Sequence, residues 1–98
     1  MYLLFDTETT GLPKNWNAPV SDLNNWPRLV QIAWLQYDTV GKEISKQSHI
    51  IKPDNFEIPS DAVKIHGITT EKANEIGIPL TKALSEFSTM LRNSKLLV

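Results

Sequence analysis

Tyr2-Leu3-Leu4-Phe5-Asp6-Thr7-Glu8-Thr9-Thr10-Gly11-Leu12-Pro13 decides how this chain is read. Four apolar residues run without interruption and then give way, within three positions, to two acids. An apolar run of that length is consistent with a strand buried on both faces. If the strand continues through Glu8, Asp6 and Glu8 project to one face, because strand side chains alternate with period two. Two carboxylates crowded at the end of a buried strand repel one another and lose hydration. A divalent cation resolves both problems. Hard oxygen ligands suit Mg²⁺ or Mn²⁺, which a short acidic pair binds together with water and substrate phosphate. Thr9, Thr10 and Gly11 follow with small side chains and backbone N–H groups that a ligand can approach closely. The acid pair alone is uninformative, since chance gives roughly 0.3 Asp-x-Glu pairs at this composition. A solvated strand end whose acids begin a turn is the plain alternative. The weight comes from the apolar strand before the acids and the Thr-Thr-Gly-Leu-Pro after them.

Outward from this stretch, residues 14–28 carry four Asn and no period, and read as a loop pinned by Trp16 and Trp26. Leu29–Tyr37 is rich enough in β-branched and aromatic residues for a central strand. Asp38-Thr39-Val40-Gly41 turns the chain, and Glu43–Lys52 returns as a more polar strand nearer the sheet edge. Helical character starts at Ser60, taken as N-cap after Pro59, and stops at Gly67. Thr69 or Thr70 caps a second short helix over Glu71–Glu75, closed by Gly77. The third helix shows one apolar stripe of Leu80, Ala83, Leu84, Phe87, Met90 and Leu91, with Pro79 in its first turn and Arg92 at the negative end of its dipole. Lys95-Leu96-Leu97-Val98 looks like a strand cut off as it starts. Its incompleteness predicts an exposed edge on the first strand and self-association through Leu96-Leu97-Val98.

The 98 residues allow one domain, with 41% apolar and 21% charged residues and a formal net charge of -1. No cysteine is present, which removes disulfide scaffolds, Cys-ligated zinc and thiol catalysis. No apolar run approaches a membrane span and the N-terminus lacks a basic signal region, so a soluble, cytoplasmic unit without membrane contact is expected. Eight Lys and two Arg against eleven acids give no basic stripe of the kind that grips duplex DNA.

Phe5-Asp6-Thr7-Glu8-Thr9-Thr10-Gly11-Leu12-Pro13 resembles the first motif of the DEDD superfamily of 3′–5′ exonucleases. This is the ribonuclease-H-like proofreading type found in the epsilon subunit of bacterial DNA polymerase III and in ribonuclease T. Arg28-Leu29-Val30-Gln31-Ile32-Ala33 resembles the family's second strand, and Ile50-Ile51-Lys52-Pro53 the end of its third. Ile58-Pro59-Ser60-Asp61-Ala62 through Ile65-His66-Gly67-Ile68-Thr69 resembles the helix and His-Gly-Ile-Thr segment that follow.

The fold implied is α/β, a ribonuclease-H-like mixed sheet of order 3-2-1-4-5 with strands 1–3 antiparallel and flanking helices. Residues 1–98 then form the N-terminal portion of a single exonuclease domain, truncated before the fourth strand is complete. The resemblance makes Asp6 and Glu8 catalytic, metal-binding carboxylates of a two-ion Mg²⁺ or Mn²⁺ site. One ion of such a site generates the attacking hydroxide and both clamp the in-line transition state, about 3.5–4 Å apart. It places Thr7, Thr9, Thr10, Gly11, Leu12 and His66 about the substrate, the 3′ end of single-stranded or frayed DNA or RNA, and it implies a DNA polymerase or other replication partner. Leu12 is either an apolar wedge against the last base or an ordinary core leucine. His66 is either a hydrogen-bonder of its turn or a wall of the nucleotide pocket, and His49, on a polar strand, reads as a surface residue. The family's second motif would begin after Val98 and its third, with a general-base His or Tyr, later still. The chain by itself is therefore expected to bind Mn²⁺ weakly and hydrolyse nothing. Three other readings compete: a haloacid-dehalogenase-like phosphatase, a non-catalytic relic of the exonuclease fold, and an α+β fragment whose acids merely face solvent.

Overall fold

The computed structural model describes residues 1–97. The apolar opening becomes strand β1 (Tyr2–Thr9), and the β-branched and aromatic run becomes β2 (Leu29–Tyr37). β3 (Glu43–Ile50) returns beside β2 after a turn in which Asp38 Oδ1 accepts from the Val40 and Lys42 amides at 3.0 and 2.9 Å. Helices α1 (Ser60–His66), α2 (Thr70–Ile76) and α3 (Leu80–Arg92) follow, and β4 (Lys95–Leu97) ends the described chain. The sheet order is β3-β2-β1-β4, with β1–β2 and β2–β3 antiparallel and β4 parallel to β1. This is the expected α/β mixed sheet. Among the described residues no helix is long and apolar enough to cross a membrane.

Alternation along β2 sets the two faces. Val30, Ile32, Trp34 and Gln36 are buried, while the residues between them are only half-buried. Ile32 and Trp34 pack with Leu3, Ile51 and Ala83, flanked by Phe5, Phe87 and Met90. Phe87 sits 5.3 Å from Phe5 and 5.4 Å from Trp34, centroid to centroid, in tilted pairs. A second cluster joins Val30 to Ile58, Ala62, Ile68 and Ala73, so α1 and α2 close the same face. The opposite face, where Leu4 and Asp6 lie beside Ala33 and Leu35, stays open as a shallow groove.

Several expectations need correction. β3 stops two residues early: the Ile51 amide still donates to the Val30 carbonyl of β2 at 2.8 Å, but from there Ile51 and Lys52 pair with a distant segment. Ile51 bridges Ile78 in parallel, the Lys52 amide donates to the Ile78 carbonyl at 2.9 Å, and the Ile78 amide donates to the Ile50 carbonyl at 2.8 Å. The N-cap of α1 is Pro59, whose side chain can accept nothing, so Ser60 is the first helical residue. α2 is capped as expected by Thr69, whose hydroxyl accepts from the Lys72 amide at 3.1 Å, but it runs one residue further at each end than Glu71–Glu75. Pro79 precedes α3 rather than lying in its first turn. Only half of the α3 stripe is covered: Ala83 is fully buried and Phe87 and Met90 are partly so, whereas Leu80, Leu84 and Leu91 face solvent.

His49 is not a surface residue. It pairs with Ile32 on the helix-covered face, lies 5.6 Å from the Trp34 ring, and its Nε2 meets Glu86 Oε2 at 2.6 Å. The edge of β1 is not left without a neighbour either, since β4 occupies it from Tyr2 to Leu4. Val98, one of the residues expected to drive association, lies outside the described residues.

Candidate active site

β1 carries both acids as regular strand residues, Asp6 opposite Ala33 and Glu8 opposite Gln31, and its register to β2 shifts only after Glu8. The alternation is intact between them, so both project to the open face, away from Leu3 and Phe5. Alternate residues on one strand face repeat every 6.5–7 Å or so, a span that two carboxylate arms can close around one hard cation. Asp6 is exposed and Glu8 half-buried. The desolvation expected of the pair is therefore mild, and mutual repulsion is what a cation would relieve.

Neither carboxylate is held by a cation. Among the described residues the one ion pair is His49–Glu86. Asp6 Oδ1 accepts from the Thr7 amide at 2.9 Å, which fixes the carboxylate near the strand and leaves its second oxygen free of protein donors among the described residues. The donor set is hard and anionic, which fits Mg²⁺ or Mn²⁺, but it is incomplete. No group of three or more His, Cys, Asp or Glu side chains able to hold an ion occurs among the described residues. Water and a substrate phosphate would have to fill the remaining positions.

The turn after β1 is built by its own threonines. Thr9 Oγ1 donates to the Gly11 carbonyl at 2.9 Å and accepts from the Gly11 amide at 3.3 Å. Thr10 bonds twice to Arg28: its amide donates to the Arg28 carbonyl at 3.0 Å, and its hydroxyl accepts from the Arg28 amide at 2.9 Å. Gly11 has φ 145°, which a side chain would resist, and the space around its Cα is open. Leu12 is 81% exposed. The core-leucine reading is thereby overturned, and a large apolar side chain stands in solvent just past the Thr9–Gly11 turn. Thr7, an exposed residue, sits between them on the other face.

His66 ends α1, where Gly67 at φ 75° supplies the left-handed cap. Its Nδ1 accepts from the Ile68 amide at 3.0 Å, so His66 does hold its own turn. The other ring nitrogen is buried without a hydrogen-bond partner among the described residues.

Two devices, the Asn25 clip and the Arg28 lock, escaped the sequence reading, whereas Trp26 pins the loop as expected. Asn25 is buried, accepts from the Asn15 amide at 2.7 Å and donates to the Asn15 carbonyl at 2.9 Å, clipping the long loop shut. Trp26 anchors the same loop by donating from Nε1 to the Pro19 carbonyl at 2.8 Å. Trp16 meets Trp26 edge-on at 6.3 Å yet remains mostly exposed. A lone Asn in an aperiodic loop offers no pattern to read. Arg28, locked to Thr10 with its guanidinium 5.5 Å from the Phe56 ring centroid, was legible only as the start of a strand.

Several solved structures share this fold. Escherichia coli exonuclease I in complex with a 5cy-dA13 oligonucleotide is 24% identical and superposes with a TM-score of 0.74 over 97% of this chain and 19% of that one. The ExoI/SSB-Ct complex is also 24% identical, with a TM-score of 0.70 over 91% of this chain and 18% of that one. The zinc-bound form of the E. coli ExoI–ssDNA complex matches equally well, at 24% identity and a TM-score of 0.70 over 91% and 18% of the two chains. At this identity the likeness establishes the fold, and the chain spans less than a fifth of the length of these neighbours. No curated protein matches the sequence. The exonuclease family (RNase_T) matches residues 3–98, first acid motif included, and the chain therefore belongs to the exonuclease family.

Proposed function

We propose that the chain is the N-terminal portion of a single metal-dependent 3′–5′ exonuclease domain that removes nucleoside monophosphates from the 3′ end of DNA or RNA. The observation that carries this reading is the Asp6–Glu8 pair: adjacent on one face of β1, free of cationic partners among the described residues, and reachable from solvent. Structural neighbours described as bound to single-stranded oligonucleotides, and one described as zinc-bound, support a nucleic-acid substrate and a divalent cation.

When bound, two such ions supply Lewis-acid stabilisation and a nucleophile at neutral pH. The chain's own residues divide the remaining work. Asp6 and Glu8 supply anionic oxygens at the scissile phosphate. The Thr9–Gly11 turn presents backbone to the terminal nucleotide, with an open approach at Gly11. Leu12, exposed just past that turn, offers an apolar surface to the last base. The ions in this reading supply the positive charge that the composition lacks, so a net charge of -1 is compatible with a nucleic-acid substrate.

With only these two acids at the site, the 98-residue chain is expected to bind substrate and ion without turnover. The test is a hydrolysis assay on a 3′-labelled single-stranded oligonucleotide with Mn²⁺ and rigorously purified chain. No mononucleotide release is expected; metal-dependent release that disappears in Asp6→Ala would show that two acids suffice and overturn this part of the reading.

A further inference from the structure

The cavity next to the Thr10–Arg28 lock is not used by the reading above. It encloses about 410 Å³, within the range of roughly 300–1,000 Å³ usual for small-ligand sites. Two exposed cations, Arg28 and Lys52, line it together with apolar Leu29, Ile51, Phe56 and Leu80. Neither cation has an ion-pair partner among the described residues, although Asp54 shares the lining and leaves it one positive charge in excess. The Arg28 guanidinium is held 5.5 Å from the Phe56 ring centroid, and its backbone is tied to Thr10 by two hydrogen bonds. A guanidinium plane fixed in this way is a surface on which a nucleobase stacks, and its N–H groups suit a phosphodiester. The chain's basic residues are otherwise scattered, so an unpaired Arg and Lys facing one apolar cavity are a specific feature.

Position adds to chemistry. Leu29 pairs with Thr9 in the β1–β2 register, so the cavity opens at the end of β1 just past Glu8, on the helix-covered side of the sheet, where a strand passing around that end from the acids reaches it. We propose that it is a second nucleic-acid subsite, holding the single strand 5′ of the terminal nucleotide. A backbone phosphate sits between Arg28 and Lys52, and a base stacks on the Arg28 guanidinium. The proposal rests on the reading of the substrate as a polynucleotide whose 3′ end lies at Asp6 and Glu8.

The test uses the whole chain and a fluorescein-labelled oligothymidylate, with anisotropy recorded in EDTA across a salt series. A separate Mn²⁺ titration reads the acids. Arg28→Gln with Lys52→Gln should weaken oligonucleotide binding by about tenfold or more. It should also flatten the slope of log K against log salt by roughly 0.7, one single-strand phosphate contact's worth, while Mn²⁺ binding is unchanged. Leu80→Asp, at an exposed position on the cavity wall, should weaken binding comparably without unfolding the chain. Failure of the parent chain to bind the oligonucleotide at low salt, or equal binding by the double variant, overturns the subsite. Displacement of the oligonucleotide by polyglutamate of matched charge also overturns it, since the site would then take any polyanion. If Asp6→Asn with Glu8→Gln leaves Mn²⁺ binding intact, the exonuclease reading falls, while the dependence of oligonucleotide binding in EDTA on Arg28 and Lys52 still decides the subsite separately.

Discussion

Replacing Gly77 by Ala tests whether the strap between α2 and α3 is fixed by space. Gly77 has φ -73° and ψ 154°, an extended conformation open to any residue, so backbone freedom does not require glycine here. A Cβ would instead overlap the Ala73 carbonyl oxygen and fall 2.6 Å from the Lys52 nitrogen and 2.8 Å from the Ile51 carbonyl carbon. All three are backbone atoms that cannot swing aside. To admit the methyl group the strap must lift, at the expense of the Lys52–Ile78, Ile78–Ile50 and Gly77–Ala73 hydrogen bonds, 2.8–2.9 Å long. Overpacking costs about 1–3 kcal/mol and each weakened bond up to about 1 kcal/mol, while the stiffer unfolded chain returns about 0.4–1 kcal/mol. A net loss of about 2–4 kcal/mol follows, equivalent to a Tm lower by roughly 10–25 °C in a domain of this size. Urea unfolding followed by tryptophan fluorescence measures it, with the exposed Asn74→Ala in α2 as a control. A Gly77→Ala midpoint within about 0.5 kcal/mol of the parent would refute the reasoning, because the strap would then yield freely.

Two further predictions concern the helical layer and the long loop. Ala83→Leu should destabilise by about 1–3 kcal/mol because Ala83 is fully buried against the sheet, whereas Leu84→Lys, one residue on and 44% exposed, should stay within about 0.5 kcal/mol; thermal unfolding of both variants checks the contrast. Asn25→Ala removes both hydrogen bonds of the Asn15 clip, so cleavage within residues 14–28 under limited proteolysis should accelerate several-fold while global stability falls by no more than about 2 kcal/mol.

The strands were legible because their signals are local. An apolar run of Tyr2–Phe5 and a β-branched, aromatic run of Leu29–Tyr37 have no helical period, and an Asx turn at Asp38 joins β2 to β3. The acids were legible for the same reason, since alternation alone places Asp6 and Glu8 together. What depended on distant chain was not. The end of β3 is set by Ile78, which is 27 residues beyond its bridge partner Ile51. The parity of His49 follows from a register of Glu43–Ile50 on β2 that includes a shift next to Tyr37, so a polar-looking strand hides a residue on the core side. Leu12 could be placed neither in the core nor in solvent from composition, because its neighbours are turn residues with no face. The α3 stripe was wider than the surface it packs on, and a moment cannot say which half of a stripe finds a partner.

The central claim is that Asp6 and Glu8 together hold a divalent cation, and paramagnetic line broadening in a two-dimensional amide NMR spectrum titrated with Mn²⁺ tests it most directly. The account predicts selective loss of the Asp6, Thr7, Glu8 and Ala33 amide signals at low Mn²⁺ ratios, abolished by Asp6→Asn with Glu8→Gln. Broadening centred on another acidic cluster, or persisting undiminished in that double variant, would contradict it.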